Sequence, residues 1–485
     1  MQHDLLAIIP ELMLIATAVV ILLVDPLLPP NGRHGLSYLG VFACLMAALS
    51  TYFLRNEEFT AFNNSIALDR FAIYFKVLFL VIAIIILLIS EKHLDLHRRL
   101  LGDYYALVLL ATVGMIIMAE AIDIMTFFVG LELMALASYI LAGFFRYEEL
   151  SVEASIKYFL TGAFASGFIL FGMVLLYGLT GATNYQEIGD TIAGGSVSGS
   201  VLVVAIMLLI VGFGFKVGAV PFHNWAPDVL QGSPTPVAAF LAVGPKVAGF
   251  AAIVKFFTIM LGSESAKWTG LIIVVAIVTM LVGSTMALVQ RDLKRMLAYS
   301  SIAHVGYLLL AVVAMGEGNT TFSSSAILFY LAAYSMMNLG AFGVLVYLAN
   351  NCRYDYSLDG ILGLGRQYRM ASVIMTLFML SLAGIPPTAG FFAKFYLFAA
   401  VVDAGLAWLA IVGVLFSVIS AYYYLRVIVY MYMRDTDVTL ERTPHRSFDL
   451  NLGLALATVA VVLLGILPSP VLNAAQDAIL RAIGF

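Results

Sequence analysis

The sequence predicts an all-α, polytopic membrane protein with about fourteen transmembrane helices, on the basis of its composition, its apolar runs and its loop charges. Of its 485 residues, 62% are hydrophobic and only 11% are charged, whereas soluble domains carry about 25% charged residues. So few charges cannot cover a water-exposed surface, and a chain this apolar is not intrinsically disordered. The formal net charge of −4 includes no basic excess of the kind that nucleic-acid binding requires.

Fourteen continuous apolar runs account for the predicted helices. A bilayer core of about 30 Å requires about 20 apolar residues in helical conformation, and the runs have approximately this length. No basic residue precedes the first run and no small-residue cleavage pattern follows it, so it is expected to be a retained helix, not a signal peptide. Named TM1 to TM14 in chain order, the runs cover residues 5–27, 36–54, 71–90, 104–120, 122–145, 154–178, 201–216, 236–261, 268–290, 297–315, 324–349, 371–400, 404–432 and 450–468.

Lys and Arg in the predicted loops are concentrated on one face of the membrane. The connections after TM1, TM3, TM5, TM9, TM11 and TM13 hold fourteen of them, and the opposite face holds four. Because basic loops stay on the cytoplasmic side, both termini are predicted to lie outside, which is the periplasm in a bacterium. The fourteen are Arg33, Lys92, Arg98, Arg99, Arg146, Arg291, Lys294, Arg295, Arg353, Arg366, Arg369, Arg434, Arg442 and Arg446, and the four are Arg55, Arg70, Lys267 and Arg481.

Two predicted spans are interrupted by proline and glycine. The apolar run of TM7 ends in residues 212–229 (GFGFKVGAVPFHNWAPDV), and TM12 contains residues 381–391 (SLAGIPPTAGF). Proline removes a backbone donor and breaks a helix, and unpaired backbone is tolerated at membrane depth only where protein or a wet cavity receives it. Paired interruptions indicate an internal repeat. Because the two breaks are five spans apart, an odd number, the two repeats should have opposite orientations.

This pattern predicts a single membrane domain over residues 1–485, built around two inverted five-helix repeats. The parts are the N-terminal helices TM1–TM3 in residues 1–103, the first repeat TM4–TM8 in 104–262, the inverted repeat TM9–TM13 in 268–433, and TM14 with its tail in 450–485.

Four ionisable residues inside the predicted spans are the main candidates for function. A charge at the bilayer centre costs about 2.5–3.5 kcal/mol on insertion scales, so such residues are few and usually functional. Glu132 lies in TM5 with no opposite charge nearby in sequence, and Lys246 lies in TM8. Lys216 ends the first half of TM7, and Lys394 follows the break in TM12. Burial lowers the proton affinity of a lysine, and a nearby carboxylate raises it again. A lysine held between these two effects can take up and release a proton, so the four residues are predicted to form a proton relay.

Structural alternatives exist for these candidates. Lys216 and Lys394 could cap the carbonyls exposed at the broken helices, and Glu132 could only pin TM5 to a neighbouring helix. Two further candidates are Lys157 in TM6 and His304 in TM10. Lys157 could snorkel to the inner surface. His304 titrates in the range that suits a relay, but it could equally be a hydrogen-bonded packing residue.

Other functional classes find no support in the sequence. No G-x-x-x-x-G-K-[ST] loop for ATP is present, no paired membrane histidines suggest haem, and the two cysteines, Cys44 and Cys352, form no cluster for iron–sulfur ligation. Lys255, near the outer end of TM8, is expected to snorkel, and the membrane tyrosines are interpreted as packing and interface residues. We therefore expect no cofactor in this chain, and energy must come from another ion or another protein.

Three segments resemble the antiporter-like subunits of respiratory complex I, the proton-pumping NADH:quinone oxidoreductase. They are residues 153–159 (EASIKYF), 212–229 and 381–391, and the resemblance extends over essentially the whole chain. It implies a fold of two inverted five-helix repeats with broken TM7 and TM12. The family assigns functional roles to a glutamate in TM5 and to lysines in TM7, TM8 and TM12, which Glu132, Lys216, Lys246 and Lys394 match here. Lys394 and the short segment after TM14 favour the subunit type that has a lysine in TM12 and no long C-terminal extension.

The resemblance implies a non-redox subunit of a translocase in a bacterial inner membrane. FMN, iron–sulfur clusters, NADH and quinone such as ubiquinone are expected on partner subunits, and the expected partners are neighbouring antiporter-like and small membrane subunits. Glu132 and Lys216 would act as a switch, and the proton would pass from Lys216 or Lys246 to Lys394. The alternatives are a subunit of a multi-subunit Na⁺/H⁺ antiporter of the same fold, a non-transporting scaffold, and a ferredoxin-fed chloroplast or cyanobacterial homologue.

Overall fold

The computed structural model describes residues 2–29, 33, 35–96, 101–195, 197–352, 354, 356–434 and 447–482. Five residues used above to predict the orientation lie outside the described residues, as does the side chain of Arg481; they are Arg98, Arg99, Arg353, Arg442 and Arg446. Over the described ranges the chain folds into a bundle of α-helices, with one short β-hairpin at one end.

Thirteen helices in the described part of the chain are long and apolar enough to cross a membrane, which confirms the predicted all-α polytopic fold class. They correspond to TM1–TM11, TM13 and TM14. TM1 ends in a 3₁₀ turn, Asp25–Leu27, and TM8 ends in a π turn, Phe256–Met260. The spans are Ile9–Leu27, Gly35–Phe53, Arg70–Leu96, Leu101–Glu120, Ile124–Ala142, Glu149–Thr180, Gly199–Val217, Thr235–Met260, Thr269–Val289, Leu293–Glu317, Thr320–Asn351, Ala407–Tyr432 and Phe448–Ile466.

The residues predicted as TM12 form two helices, Arg369–Ala383 and Ala389–Asp403, of 15 residues each. At 1.5 Å per residue each helix is about 22 Å long, which is shorter than a hydrocarbon core of about 30 Å. Neither helix alone could span the membrane, but together they cover the predicted range. TM7 ends at Val217 and is followed by a separate short helix, Trp225–Gly232. The inverted relationship between the two halves of the chain stays a prediction.

A β-hairpin between TM2 and TM3 departs from the predicted all-α structure. Strand β1, Phe59–Ala61, pairs antiparallel with β2, Ile66–Leu68, with Phe59 opposite Leu68. The turn places Phe62, Asn63 and Asn64 at positive φ, a conformation that asparagine tolerates better than most residues. The Asn-Asn pair was the available sequence signal for this turn. The hairpin contacts the TM4–TM5 connection, since Ile66 forms a β-bridge with Ala121.

The helices divide into a buried centre and an apolar periphery. TM8 and TM10 are entirely buried over their apolar windows, whereas TM1 and TM13 are only 33% buried. Two further helices lie outside the spans. Tyr185–Ala193 packs against the end of TM8, and the amphipathic helix Ser469–Ala482 packs on TM3 and TM11. Since apolar side chains cover the periphery, a bilayer or a neighbouring apolar protein must receive them. The ionisable candidate residues are therefore expected in the buried centre of the bundle.

Candidate functional site

The breaks in TM7 and TM12 have the same local structure. TM7 is capped by Gly218 with φ +81°, and the first half of TM12 is capped by Gly384 with φ +86°. At each break the glycine N–H and the next N–H donate to carbonyls one turn earlier, at 2.7–3.0 Å for Gly218 and Ala219 and 2.9–3.1 Å for Gly384 and Ile385. This is the glycine C-cap that ends many helices. Its occurrence at both breaks is compatible with the predicted repeat.

Lys216 lies in the last turn of TM7, with its side chain buried inside the bundle. Its Nζ donates to Ser166 Oγ on TM6 at 3.2 Å. The carbonyl of Phe215 at this helix end accepts instead from Trp225 Nε1 at 2.9 Å. The described contacts of Lys216 therefore do not include the carbonyl capping that was its structural alternative.

Glu132 lies partly buried in TM5, close enough to Lys216 for an electrostatic interaction. Its Oε1 has no hydrogen-bond partner, and the ion pairs between described residues do not include one between Glu132 and Lys216. The two residues are thus near one another but separated. This is one of the two states that a carboxylate–lysine switch requires.

Lys246 follows Pro245 inside TM8 and is buried. Its Nζ donates to Ser301 Oγ on TM10 at 2.6 Å. It also reaches the break in TM7, because a Cβ built on Gly218 would lie 3.6 Å from this Nζ. The ammonium group of Lys246 therefore lies between the TM7 break and the centre of TM10.

Lys394 lies in the second half of TM12 and folds back over the break. Its Nζ donates to the carbonyls of Leu382 at 3.1 Å and Ala383 at 2.9 Å, and to Ser417 Oγ on TM13 at 2.8 Å. The same atom lies 5.3 Å from the centre of the Tyr307 ring. Lys394 thus caps the end of the first half of TM12, as its structural alternative supposed, and also lies against an aromatic ring of TM10 and a hydroxyl group of TM13.

A cluster of hydroxyl and imidazole groups occupies the space between Lys246 and Lys394. His304 is buried at its centre, with Nδ1 2.6 Å from the Tyr330 hydroxyl and Nε2 3.1 Å from the Tyr424 hydroxyl. Because tyrosine can donate or accept, either tautomer of a neutral imidazole is fully hydrogen-bonded here. We call this set the TM10 cluster, and its members are Ser300, Ser301, His304, Tyr307, Tyr330, Tyr334, Ser417, Ser420 and Tyr424.

The interpretation of the membrane tyrosines as packing and interface residues is therefore incomplete. Tyr330 and Tyr424 bond to His304, Tyr307 bonds to Ser420 at 3.1 Å, and Tyr334 donates to the Ala242 carbonyl on TM8 at 3.0 Å. The available sequence signal was the polar tip of each tyrosine, because a buried hydroxyl normally requires a partner. Sequence alone does not reveal that these partners converge on one histidine.

The described contacts of Lys157 include neither the TM10 cluster nor Lys216, Lys246 or Lys394. Its side chain is 43% exposed and pairs with Glu153 at 2.7 Å and with Asp228 at 2.8 Å. Asp228 also accepts from Arg295 at 2.7 Å. These ion pairs connect TM6, the helix Trp225–Gly232 and TM10 at the face predicted to be inside, where snorkelling was expected.

Sequence reasoning also missed a second group of buried charges, which includes Glu11, Lys76 and Glu120. Each of these residues lies inside or at the end of an apolar run, and this position was the available signal. Lys255 belongs to the same group. It was predicted to extend to the surface, and this prediction is wrong, because its side chain is only 2% exposed and its Nζ lies 3.4 Å from the Ala121 carbonyl.

The described residues offer no candidate metal centre. Within the ranges given above, no three His, Cys, Asp or Glu side chains come together in a way that could hold an ion. The buried centre contains amines, hydroxyls, one imidazole and one carboxylate, groups that can bind and release protons.

Adding a methyl group at the two glycine caps should affect the two breaks unequally. Both glycines have positive φ, where alanine costs roughly 1–2 kcal/mol. At Gly218 the new Cβ makes only ordinary contacts, but at Gly384 it lies 2.9 Å from Lys394 Cδ. We expect Gly384→Ala to lower the thermal unfolding midpoint of the purified protein more than Gly218→Ala. Equal midpoints would contradict the close packing of Lys394 over the TM12 break.

Comparison with known proteins identifies the class of this fold and site. The family profile described as NADH:quinone oxidoreductase/Mrp antiporter, TM, matches residues 121–420. The chain belongs to this family of antiporter-like transmembrane subunits. NADH-quinone oxidoreductase subunit N of Trichlorobacter lovleyi is 42% identical over 477 residues, covering 98% of this chain and 97% of the relative. This similarity places the chain with the N subunits and confirms the subunit type that Lys394 favoured.

Solved structures agree with this assignment. A chain of respiratory complex I from Thermus thermophilus, determined with bound aureothin, superposes with a TM-score of 0.80 at 31% identity, covering 97% of this chain and 100% of that chain. A chain of the Mrp complex from Dietzia sp. superposes with a TM-score of 0.81 at 21% identity, covering 98% of this chain and 97% of that chain. The second match shows a shared fold only.

Proposed function

We propose that this chain is the proton-translocating subunit N of a bacterial NADH:quinone oxidoreductase. It would couple electron transfer from NADH to quinone, carried out by other subunits, to proton movement through its own buried amines. The observation that carries the proposal is the row of three buried lysines, Lys216, Lys246 and Lys394, of which the last two bond to members of the TM10 cluster. A buried amine without an ion-pair partner is costly to keep charged, so it can release its proton readily.

The proposed mechanism uses the separation of Glu132 and Lys216. When neighbouring subunits bring the two together, the carboxylate stabilises the charged amine and the proton is held. When they separate, the buried charge is no longer compensated and the proton passes to Lys246. Proton transfer to Lys394 would then follow the hydroxyls and imidazole of the TM10 cluster, with water completing the path. Lys157 and His304 stay proposed participants, the first near proton entry and the second within the path.

Partners complete the reaction in this proposal. FMN, iron–sulfur clusters, NADH and quinone would lie on other subunits of the complex, and the apolar periphery of this chain would contact neighbouring antiporter-like and small membrane subunits. The chain would lie in the bacterial inner membrane with both termini in the periplasm. The supporting observation is the excess of Lys and Arg on the opposite face.

Replacing Glu132 by glutamine should separate transport from scaffolding. The substitution retains side-chain shape but removes the charge that acts on Lys216, so we expect severalfold slower proton pumping in inverted membrane vesicles while the complex still assembles. Glu187→Gln, at an exposed position of the helix Tyr185–Ala193, is the matched control and should pump normally. If Glu132→Gln pumps as fast as wild type, a scaffold is the better explanation.

A subunit of a multi-subunit Na⁺/H⁺ antiporter is the second candidate, favoured by the fold shared with the Mrp chain. The two functions differ in their energy source, since the antiporter exchanges ions without NADH. Vesicles that contain the chain should therefore acidify on NADH addition and not on imposing a Na⁺ gradient. Neighbouring genes for iron–sulfur and flavin subunits would support the first function, and genes for small antiporter subunits the second.

A further inference from the structure

Tyr139 in TM5 is a buried tyrosine that lies outside the TM10 cluster. It is 5% exposed, and its ring packs edge-on against Tyr158 and Phe159 of TM6, with ring centres 4.8 and 5.7 Å away. Its hydroxyl is buried as well and has no hydrogen-bond partner, although a buried tyrosine hydroxyl normally has one. This donor is therefore available to a neighbouring group that lacks a partner of its own.

Two contacts place this hydroxyl at the depth of Glu132. TM5 and TM6 are consecutive spans of opposite direction, and Ser155 Oγ on TM6 donates to the backbone carbonyl of Tyr139 at 2.8 Å. The hydroxyl itself lies against Gly162, because a Cβ built there would clash with it. Residue 162 lies about two turns beyond 155 on TM6, and in an antiparallel pair this equals about two turns back along TM5, from Tyr139 to Glu132. Long side chains in a helix lean toward its N-terminus, which is the direction of Glu132.

The next turn of TM6 carries the hydroxyl that binds Lys216. Ser166 follows Gly162 by one turn, so both lie on the same face of TM6. Ser166 Oγ accepts from Lys216 Nζ at 3.2 Å. Tyr139 is close enough to interact with both Ser166 and Glu132, although its hydroxyl forms no hydrogen bond of normal geometry. The hydroxyl of Tyr139 thus lies beside the carboxylate of the switch and beside the serine that holds its amine.

We propose that Tyr139 positions the Glu132 carboxylate in the separated state of the switch by donating a hydrogen bond to it, with a water molecule completing the contact. The inference rests on the proposed function and adds a third residue to the pair Glu132 and Lys216. When these two separate, the buried carboxylate loses its counter-charge, which is costly. A hydroxyl donor stabilises the ionised carboxylate without carrying a charge itself. Tyr139 thus lowers the cost of separation and allows the proton on Lys216 to leave.

Replacing Tyr139 by phenylalanine tests the proposal, because it removes the hydroxyl and keeps the ring. The hydroxyl has no hydrogen-bond partner, so its loss should leave assembly and the thermal unfolding midpoint of the complex unchanged. We expect proton pumping by the whole complex in inverted membrane vesicles to fall severalfold, by no more than in Glu132→Gln. The matched control is Tyr177→Phe, at a 49% exposed position of TM6, which should pump normally. Pumping by Tyr139→Phe at the wild-type rate would overturn the proposal.

Combining the two substitutions distinguishes a positioning residue from a structural one. If Tyr139 acts through Glu132, the double variant Tyr139→Phe/Glu132→Gln should pump as fast as Glu132→Gln alone, because the group that Tyr139 positions is already gone. A structural role would instead give two losses that multiply, and this result would show that the proposal is wrong.

Infrared difference spectra of the purified complex, induced by NADH, provide a measurement that does not depend on pumping. The carboxylate band that is missing from Glu132→Gln should be shifted in Tyr139→Phe, because the carboxylate has lost a hydrogen-bond donor. The same band should be unchanged in Tyr177→Phe. A band at the wild-type position in Tyr139→Phe would mean that the hydroxyl does not reach Glu132.

Gly162→Ala provides an independent test that keeps the hydroxyl but displaces it. The added Cβ would clash with the hydroxyl and lie 2.6 Å from Tyr139 Cζ, so the tip of the ring would have to leave this contact. We expect a severalfold loss of pumping for equal amounts of assembled complex. Gly167→Ala on the same helix is the control, because a Cβ there meets nothing within 4 Å. Equal pumping by the two glycine variants would contradict the proposal, even if Tyr139→Phe failed to assemble.

Failure of this inference can be told apart from failure of the proposed function. If Lys216→Ala and Glu132→Gln pump poorly but Tyr139→Phe and Gly162→Ala pump normally, the lysine row stands and the proposed role of Tyr139 is wrong. If Lys216→Ala and Glu132→Gln also pump normally, the proposed function itself is wrong.

Discussion

Replacement of Lys216 by alanine is expected to reduce NADH-driven proton pumping by roughly tenfold or more, because it removes the amine next to the switch carboxylate. Lys216 is buried and makes one described hydrogen bond, to Ser166 at 3.2 Å. Loss of such a bond costs about 1 kcal/mol of stability, and truncation of a buried side chain also leaves a cavity, so the pumping rate has to be compared for equal amounts of assembled complex. The measurement is the initial rate of acidification in inverted membrane vesicles, divided by the amount of assembled complex.

Two control variants make this result interpretable. Lys216→Met retains most of the side-chain volume without the charge, so it should pump as poorly as Lys216→Ala while leaving no cavity. Lys267→Ala removes a lysine that pairs with Glu264 in a partly exposed position, and it should pump normally. Pumping by Lys216→Met at the wild-type rate would show that an amine at this position is not needed.

Lys216 and Lys394 have different surroundings, which favours different tasks for them in the proposed relay. Lys216 has a single hydroxyl partner and a nearby carboxylate, so its charge responds most to movement of Glu132. Lys394 is held by two carbonyls and a serine, which fixes its position but provides no opposite charge. Carbonyls and hydroxyls stabilise an ammonium group less than a carboxylate does, which is compatible with the proposed transfer of a proton from either lysine.

The sequence was informative wherever a single residue or run decides the structure. Apolar runs predicted the helices, and the glycine–proline motifs lie where helices end at Gly218 and Gly384, since these residues limit backbone geometry locally. The buried positions of Lys216, Lys246 and Lys394 followed from their places inside or beside the runs. By contrast, the partners of His304 come from TM11 and TM13, and the ion pairs of Lys76 come from TM1 and TM4. Such contacts depend on how helices pack, and no local pattern in the sequence encodes them.

Replacement of Gly390 by alanine is expected to be the most destabilising single methyl addition near the TM12 break. Gly390 lies in the first turn after the break, and its N–H donates to Ser381 Oγ at 3.1 Å. A Cβ at this position would clash with the carbonyl oxygen of Ser381 and lie 3.0 Å from Met337 Sδ. Because a backbone atom cannot turn aside as a side chain can, the two halves of TM12 would have to move apart. Overpacking of this kind costs about 1–3 kcal/mol or more.

The movement should reach the relay, since Lys394 lies one turn after Gly390 and bonds to carbonyls of the other half of TM12. Gly390→Ala should therefore lower both the thermal inactivation midpoint of the detergent-purified complex and its proton pumping. Gly167→Ala in TM6 is the control, because a Cβ there meets nothing within 4 Å and alanine is favoured over glycine in a helix by roughly 0.5–1 kcal/mol. Equal midpoints for the two variants would mean that the halves of TM12 are not in contact. A lower midpoint with normal pumping would mean that the position of Lys394 over the break is not needed for transport.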